Sequence, residues 1–315
     1  MSKEGNQQVK SNRYASIDIG TNSVLLLVAD WNGCQLTPHR ELFQITRLGA
    51  AYTQEGIIPA SAVMRTQQVL QQYIQEAREA GAREVWATAT QIFRVAQNAS
   101  AVLVQLQQAS GISIEVLSRE QEAWLTFWGA LDTMAGLHGP FWAIDIGGGS
   151  TEVVLGDRHE IEFAYSFPFG AVQLKEHFHL EDNLKETDIH ALRQFVAQQF
   201  QKHLPLKDGD PIGIGGTPTT LAALQQQLSH YAFDRIDGFH LSRSNVLQLF
   251  HQMNALPLAE RMNLPGMEKG RADIILPATL VLDEFLKAIH RAELTVSARG
   301  LRYGVILWKL GVVSA

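Results

Sequence analysis

Residues 143–157 read AIDIGGGSTEVVLGD, and residues 16–30 read SIDIGTNSVLLLVAD. With Asp18 set on Asp145, the two stretches also agree at Ile17/Ile144, Ile19/Ile146, Gly20/Gly147, Ser23/Ser150 and Asp30/Asp157. Each is an apolar strand ending in Asp-x-Gly, then a glycine-containing turn, then a second apolar strand. Each also opens a run of strand-like segments: YASIDIG, SVLLLVAD and CQLTPHRELFQIT in the first half, FWAIDIG, STEVVLGD and HEIEFAYSFP in the second. A single glycine turn of this kind reads as an ordinary hairpin. A matched pair, each led by aspartate, points to a duplicated unit.

Between and after the copies, strands alternate with helices. Apolar positions Val63, Leu70, Tyr73, Ile74 and Ala77 keep helical spacing from Ser61 to about Ala80, with Ser61 as the cap and Gly81 as the stop. EVWATAT reads as a strand, SAVLVQLQQAS as a helix, ISIEVLS as a strand and EQEAWLTFWGALDTMAG as a helix ending near Gly136. HGPFW marks a boundary. The second half continues with a helix over about 187–202, the strand PIGIG and helices to the end. The pattern predicts an α/β protein with mixed sheets flanked by helices. The domains are expected at 1–130 and 131–315, with residues 1–12 disordered. A terminal helix from about 300 is a candidate to pack back on the first domain. The paired Asp-x-Gly turns are expected to face each other across an interdomain cleft.

Composition narrows the function. The chain has 315 residues, 46% of them apolar, enough for two cores. A formal net charge of −6 argues against a general nucleic-acid surface, though not against a small anion held locally. Cys34 is the single cysteine, which excludes an intrachain disulfide and fits a reducing compartment. The opening MSKEGNQQVKSN has no apolar signal core. The apolar run Val24–Ala29 is far short of the ~20 residues of a membrane span. A cytoplasmic protein is expected, without nucleic-acid or membrane partners. Oligomeric state is not legible, and a homodimer is simply the commonest assembly.

Glycine turns let main-chain N–H groups approach a ligand closely, and successive N–H groups make a nest for an anion such as phosphate. Gly20, Thr21, Asn22 and Ser23 are the candidates in the first copy, and Gly147, Gly148, Gly149, Ser150 and Thr151 in the second. Carboxylates beside phosphate oxygens are the usual way to hold Mg²⁺, which makes Asp18 and Asp145 candidate metal residues. Hydrogen bonding within the turn is their alternative role. Glu152 replaces the apolar Leu25 of the first copy. A third glycine turn, IGIGGTPTTLAAL, places Gly215 and Gly216 at a strand end, Thr217 as N-cap and Pro218 at the first helical position. It reads equally as an anion site and as simple capping. Arg94 follows a strand, and Glu120 and Glu122 open a helix, where acidic residues are ordinary dipole partners. His177 and His179 in KEHFHLED read as a solvated loop rather than a metal site.

Taken together, ASIDIGTNSVLLLV, ATQIFRVAQN, SREQEAWLTFWGAL, AIDIGGGSTEVVLG, GIGGTPTTLAAL, GRADIILPATLVL and VSARGLRYGV resemble the exopolyphosphatase/guanosine pentaphosphate phosphatase (Ppx/GppA) family, in that family's order and over almost the whole chain. The resemblance implies two duplicated actin-like (ribonuclease H-like) domains of the actin, Hsp70 and sugar-kinase superfamily. It implies hydrolysis of a terminal phosphoanhydride of polyphosphate or guanosine pentaphosphate with Mg²⁺ or another divalent cation. The glutamate before alanine is the family's candidate general base; here that is Glu122, not Glu120. The resemblance carries Asp18, Asp145 and Glu152 over to metal-linked and catalytic positions. Arg94 becomes the phosphoryl-stabilising arginine and Arg302 the arginine of GLRxG. Leu25 stands where many members have a basic residue, and Tyr303 where glutamate is common. Longer members add a C-terminal helical domain, and the sequence in hand ends at Ala315. An ATP-dependent kinase of the same superfamily and a non-catalytic nucleotide-binding scaffold are the competing readings.

Overall fold

The computed structural model describes residues 12–49, 56–134 and 139–313. Of residues 1–12, expected to be disordered, 1–11 lie outside them, as does Gly136, the expected helix end; Asn12 is ordered, its carbonyl accepting from Trp31 N–H at 2.8 Å. The chain divides into two compact units. One holds the described residues up to Asp132 together with those from Leu301 onward; the other is Thr133–Gly300.

In the first unit, β1 (Arg13–Ile19), β2 (Ser23–Trp31) and β3 (Leu36–Ile45) are joined antiparallel. A helix, α1 (Ala60–Glu79), then leads to β4 (Val85–Ala89), which runs parallel to β1. The short α2 (Gln91–Val95) and α3 (Ala99–Ser110) follow, and β5 (Ile114–Val116) adds parallel to β4. The sheet order is β3-β2-β1-β4-β5. Period-2 alternation decides what each face meets: Ala15, Ile17, Ile19, Val24, Leu26 and Val28 are buried together with apolar residues of α1 and α3. Ser16 and Asp18 point to the other face. That face receives α4 (Arg119–Leu131) and the C-terminal α12 (Leu301–Lys309), and the Ser16 hydroxyl donates to the Arg302 carbonyl at 2.7 Å.

The second unit repeats this order. β6 (Phe141–Ile146), β7 (Thr151–Gly156) and β8 (Ile161–Phe167) are antiparallel, and β9 (Asp210–Ile214) is parallel to β6. With β10 (His240–Ser242) and β11 (Glu293–Ser297), its sheet reads β10-β11-β9-β6-β7-β8. The core lies against α5 (Ala171–His177), α6 (Glu186–His203), α7 (Gly216–Gln225) and the almost wholly buried α11 (Ile275–Ala288). The two open mixed sheets with flanking helices are those of a duplicated α/β fold.

Several local expectations are corrected. α1 begins at Ala60 after Pro59, so Ser61 lies inside its first turn and caps nothing. The C-terminal region is not all helix. β10 (His240–Ser242) and β11 (Glu293–Ser297) extend the second sheet, where Leu294 and Val296 are buried. Short strands between strong helices leave little periodicity to read. Among the described residues, no helix is long and apolar enough to cross a membrane.

Gly304 is where α12 meets α4: a Cβ there would sit 1.8 Å from the Leu125 carbonyl oxygen. Gly304→Ala therefore forces the helices apart and is expected to cost about 1–3 kcal/mol or more. Urea unfolding reads this directly, and an unchanged midpoint would show that the contact is not tight.

Candidate active site

The two Asp-x-Gly turns share one geometry. Gly20 N–H donates to the Ser23 carbonyl at 2.9 Å, and Gly147 N–H to the Ser150 carbonyl at 2.9 Å. A Cβ on either glycine would approach that same oxygen at 3.2 Å. These glycine N–H groups are thus spent inside the turn, a correction to their reading as phosphate donors. The carbonyls are spent as well. Gly49 N–H donates to Thr21 O, and the Thr46 and Arg47 N–H groups to Asn22 O, at 2.8–3.0 Å. In the second turn Ala171 N–H donates to Gly147 O at 2.8 Å and Val172 N–H to Gly148 O at 2.9 Å. With its amide assigned so that the nitrogen meets acceptors, Gln173 donates to Pro168 O and Gly149 O, each at 2.8 Å. With the carbonyls turned into the scaffold, the N–H groups of Thr21, Asn22, Gly148 and Gly149 have no acceptor among the described residues. Each turn presents donors outward, which suits an anion.

Beside the second turn lies an acidic row. Asp145 on β6 is the register partner of Glu152 on β7, and Glu152 that of Ser166 on β8. Register partners share a face, so these side chains stand side by side. Ser166 Oγ donates to Glu152 Oε1 at 2.8 Å. The third glycine turn serves this row. Gly215 sits at φ +77° in the left-handed region, and a Cβ there would fall 2.3 Å from Asp145 Oδ1. Gly215 is also the N-cap of α7, and Gly216 is already helical. Thr217 is therefore not the cap; its hydroxyl donates to the Ile146 carbonyl at 3.3 Å.

The first unit brings Arg94, Glu122 and Asp18 into one neighbourhood. Ser118 caps α4 through a capping box with Gln121, which sets Glu122 in the first turn. Arg94 Nη1 lies 2.7 Å from Glu122 Oε2 and also donates to the Leu117 carbonyl at 2.8 Å. Glu120 is taken up differently: it accepts from Ser118 Oγ at 2.9 Å, and backbone and Ser118 hydrogen bonds hold its pKa below the usual range. Asp18 Oδ1 is buried without a hydrogen-bond partner among the described residues. Burial, and then the negative charge of Glu122, push the Asp18 pKa up to about 7 against the pull of Arg302. Arg302 itself is anchored: its Nη1 donates to the Leu26 carbonyl at 2.9 Å, and its Nη2 lies 3.4 Å from Glu41.

The profile of the Ppx/GppA phosphatase family matches residues 27–312. The chain belongs to the Ppx/GppA phosphatase family. It is 31% identical to Exopolyphosphatase 2 of Mycobacterium tuberculosis (strain ATCC 25618 / H37Rv), over 94% of this chain and 98% of that protein. It is similar to the crystal structure of the Aquifex aeolicus family member, with a TM-score of 0.86 and 30% identity over 96% of this chain and 99% of that one. An exopolyphosphatase from Cytophaga hutchinsonii matches with a TM-score of 0.80 and 27% identity, over 96% and 99% of the chains.

Family membership raises the question of a divalent cation. Among the described residues no group of three or more His, Cys, Asp and Glu side chains could hold a metal by itself. His177 is the exposed last residue of α5 rather than part of a loop, and its ring packs on Phe178 and Phe195. The adjacent carboxylates Asp145 and Glu152 do fit a hard cation of the Mg²⁺ type, which needs only one or two carboxylates and completes its shell with water and phosphate oxygens. The family departures are accommodated structurally. Tyr303 is fully buried and donates to Glu41 at 3.1 Å, and Leu25 pairs in register with Phe43. Arg271 was missed by the sequence reading. A Cβ on Gly216 would fall 1.8 Å from its guanidinium carbon, so Arg271 lies over the start of α7. No local signal ties residue 271 to residue 216.

The raised Asp18 pKa sets a pH dependence. Folded Asp18 keeps its proton to higher pH than the unfolded chain does. Its contribution is fully present below about pH 4 and is lost as pH rises through about 7. Thermal unfolding in chelator should show stability falling across this window. Asp18→Asn should remove the fall, on the order of 2–4 kcal/mol. An identical pH slope in the variant would mean that Asp18 is not the group.

Proposed function

We propose that this protein is an exopolyphosphatase, releasing the terminal phosphate of inorganic polyphosphate with a divalent cation, Mg²⁺ by preference. The carrying observation is the Arg94–Glu122 pair beside the buried carboxyl of Asp18, at the ends of β1, β4 and β5. Hydrolysis needs a base to hold water and a cation to meet the phosphoryl charge, and phosphoryl transfer asks little else of a protein beyond alignment. Relatives named exopolyphosphatase support the substrate.

Glu122 orients a water and takes its proton as the water oxygen bonds to the terminal phosphorus. The anhydride P–O bond breaks, and its electron pair leaves with the shortened chain. Arg94 exchanges its bond to Glu122 for the transferred phosphoryl oxygens, which frees the base as the substrate arrives. Within the first unit, the N–H groups of Thr21 and Asn22 bind non-bridging oxygens; within the second, Gly148 and Gly149 offer donors of the same kind. Asp145 and Glu152 would hold the cation, whose chemistry is to neutralise phosphate charge. Guanosine pentaphosphate is the second substrate to test. Leu25, in place of a basic residue, favours the inorganic chain.

Phosphate release from long-chain polyphosphate and from guanosine pentaphosphate, with Mg²⁺ and with chelator, tests this. Glu122→Gln should lower kcat by about 10²–10⁴-fold with the fold intact, and Arg94→Ala by about 10²–10³-fold. Phosphate transfer from ATP to an acceptor, without hydrolysis of either substrate, would instead favour a kinase. Tight nucleotide binding with no turnover would favour a scaffold.

A further inference from the structure

The two copies differ in a way that one chain can report without any relative. The side chains of the two copies can be matched row by row. Ile17 pairs with Leu26 where Ile144 pairs with Val153, and Ser16 with Leu27 where Ala143 pairs with Val154. The β2 and β7 members of these rows stay apolar. The aspartate row does not. Asp18–Leu25–Phe43 of the first sheet becomes Asp145–Glu152–Ser166 of the second. Both partners of the aspartate have changed, from aliphatic and aromatic to carboxylate and hydroxyl. In the first sheet the row ends on Phe43, 49% exposed, with no group able to hold a carboxylate. In the second it ends on a hydroxyl bonded to Glu152 Oε1 at 2.8 Å, while Oε2 accepts no hydrogen bond among the described residues.

We propose that Ser166 is the positioning residue for Glu152. Its hydroxyl occupies one carboxylate oxygen, which limits the motion of the side chain and leaves Oε2 for the cation. The inference rests on the cation role given to Glu152 above. A free glutamate on a strand would have to lose side-chain entropy each time the cation binds; Ser166 removes part of that cost in advance. Partners behind a metal ligand act in this way, and their loss typically weakens metal binding 10–100-fold. Ser166 touches no reacting atom in this scheme and is not a catalytic residue.

The test is Mn²⁺ binding to the full chain, titrated by electron paramagnetic resonance, for the wild type, Ser166→Ala, Ser166→Thr and Glu152→Gln. Ser166→Ala should weaken Mn²⁺ by about 10-fold or more. Ser166→Thr, which keeps the hydroxyl, should restore it, and the melting temperature should stay close to wild type in both. In polyphosphate hydrolysis, Ser166→Ala should need more Mg²⁺ for half-maximal rate yet approach the wild-type kcat at saturation. If Ser166→Ala binds Mn²⁺ like the wild type while Glu152→Gln does not, the positioning role is overturned and the cation site stands. If Glu152→Gln also binds like the wild type, the cation role of Glu152 falls, and this inference with it. A Ser166→Thr variant as weak as Ser166→Ala would likewise overturn it, because volume rather than the hydroxyl would then be what matters.

Discussion

The bond from Gly147 N–H to the Ser150 carbonyl, and its twin from Gly20 to Ser23, is the constraint on which the rest is built. Each closes a hairpin directly after an Asp-x-Gly strand end, so tightly that a side chain at the glycine would press on the acceptor oxygen. Closing the turn this way uses the glycine donor and directs the remaining carbonyls into the following segment. The next N–H groups are then left facing outward. In the proposed reading the turn receives an anion, because the glycine N–H and the carbonyls are already used within the scaffold.

The scaffold that receives the carbonyls differs between the copies. In the first unit it is the turn after β3, Thr46 to Gly49, with Arg47 at φ +54°. In the second it is the start of α5, where Gly170 lets the chain come so close that a Cβ would lie 2.5 Å from the Gly147 carbonyl. One geometry has been kept with two kinds of support. The acidic equipment has diverged further. The first unit holds a carboxyl shielded and shifted by a neighbouring glutamate, and the second holds a pair of carboxylates supported by a hydroxyl. Charge that cannot be solvated must be protonated, paired or bound to a cation, and the two units illustrate different answers.

Much of this was legible in the residues themselves. The Asp18/Asp145 repeat announced the duplicated sheets because period-2 apolar strands and glycine turns are local signals. The apolar spacing of EQEAWLTFWGALDTMAG announced the helix that carries Glu122, and the structure adds the Ser118–Gln121 capping box that starts it. Glu152 stood out because it interrupts an apolar position of its own repeat. Ser61 and Thr217 misled because a good capping residue near a helix start says nothing of which residue occupies the cap; Pro59 and Gly215 hold those places. The strands at His240–Ser242 and Glu293–Ser297 were too short to register against the helices around them.

By itself the sequence determined the paired strand–turn–strand starts of the two units and the places of the glycine turns, since these follow from neighbours within a few residues; Arg94, Glu122 and Arg302 were given roles only by resemblance to the family. Only the tertiary structure decided what those residues touch. It set Arg94 on Glu122, left Asp18 Oδ1 without a hydrogen-bond partner among the described residues, laid Arg271 over Gly216, and bound Arg302 to Leu26 and Glu41. It also showed that Ser166 stands behind Glu152. Such pairings join residues that are from 14 to nearly 280 positions apart. They are settled by sheet register and helix packing, and no short-range pattern encodes either.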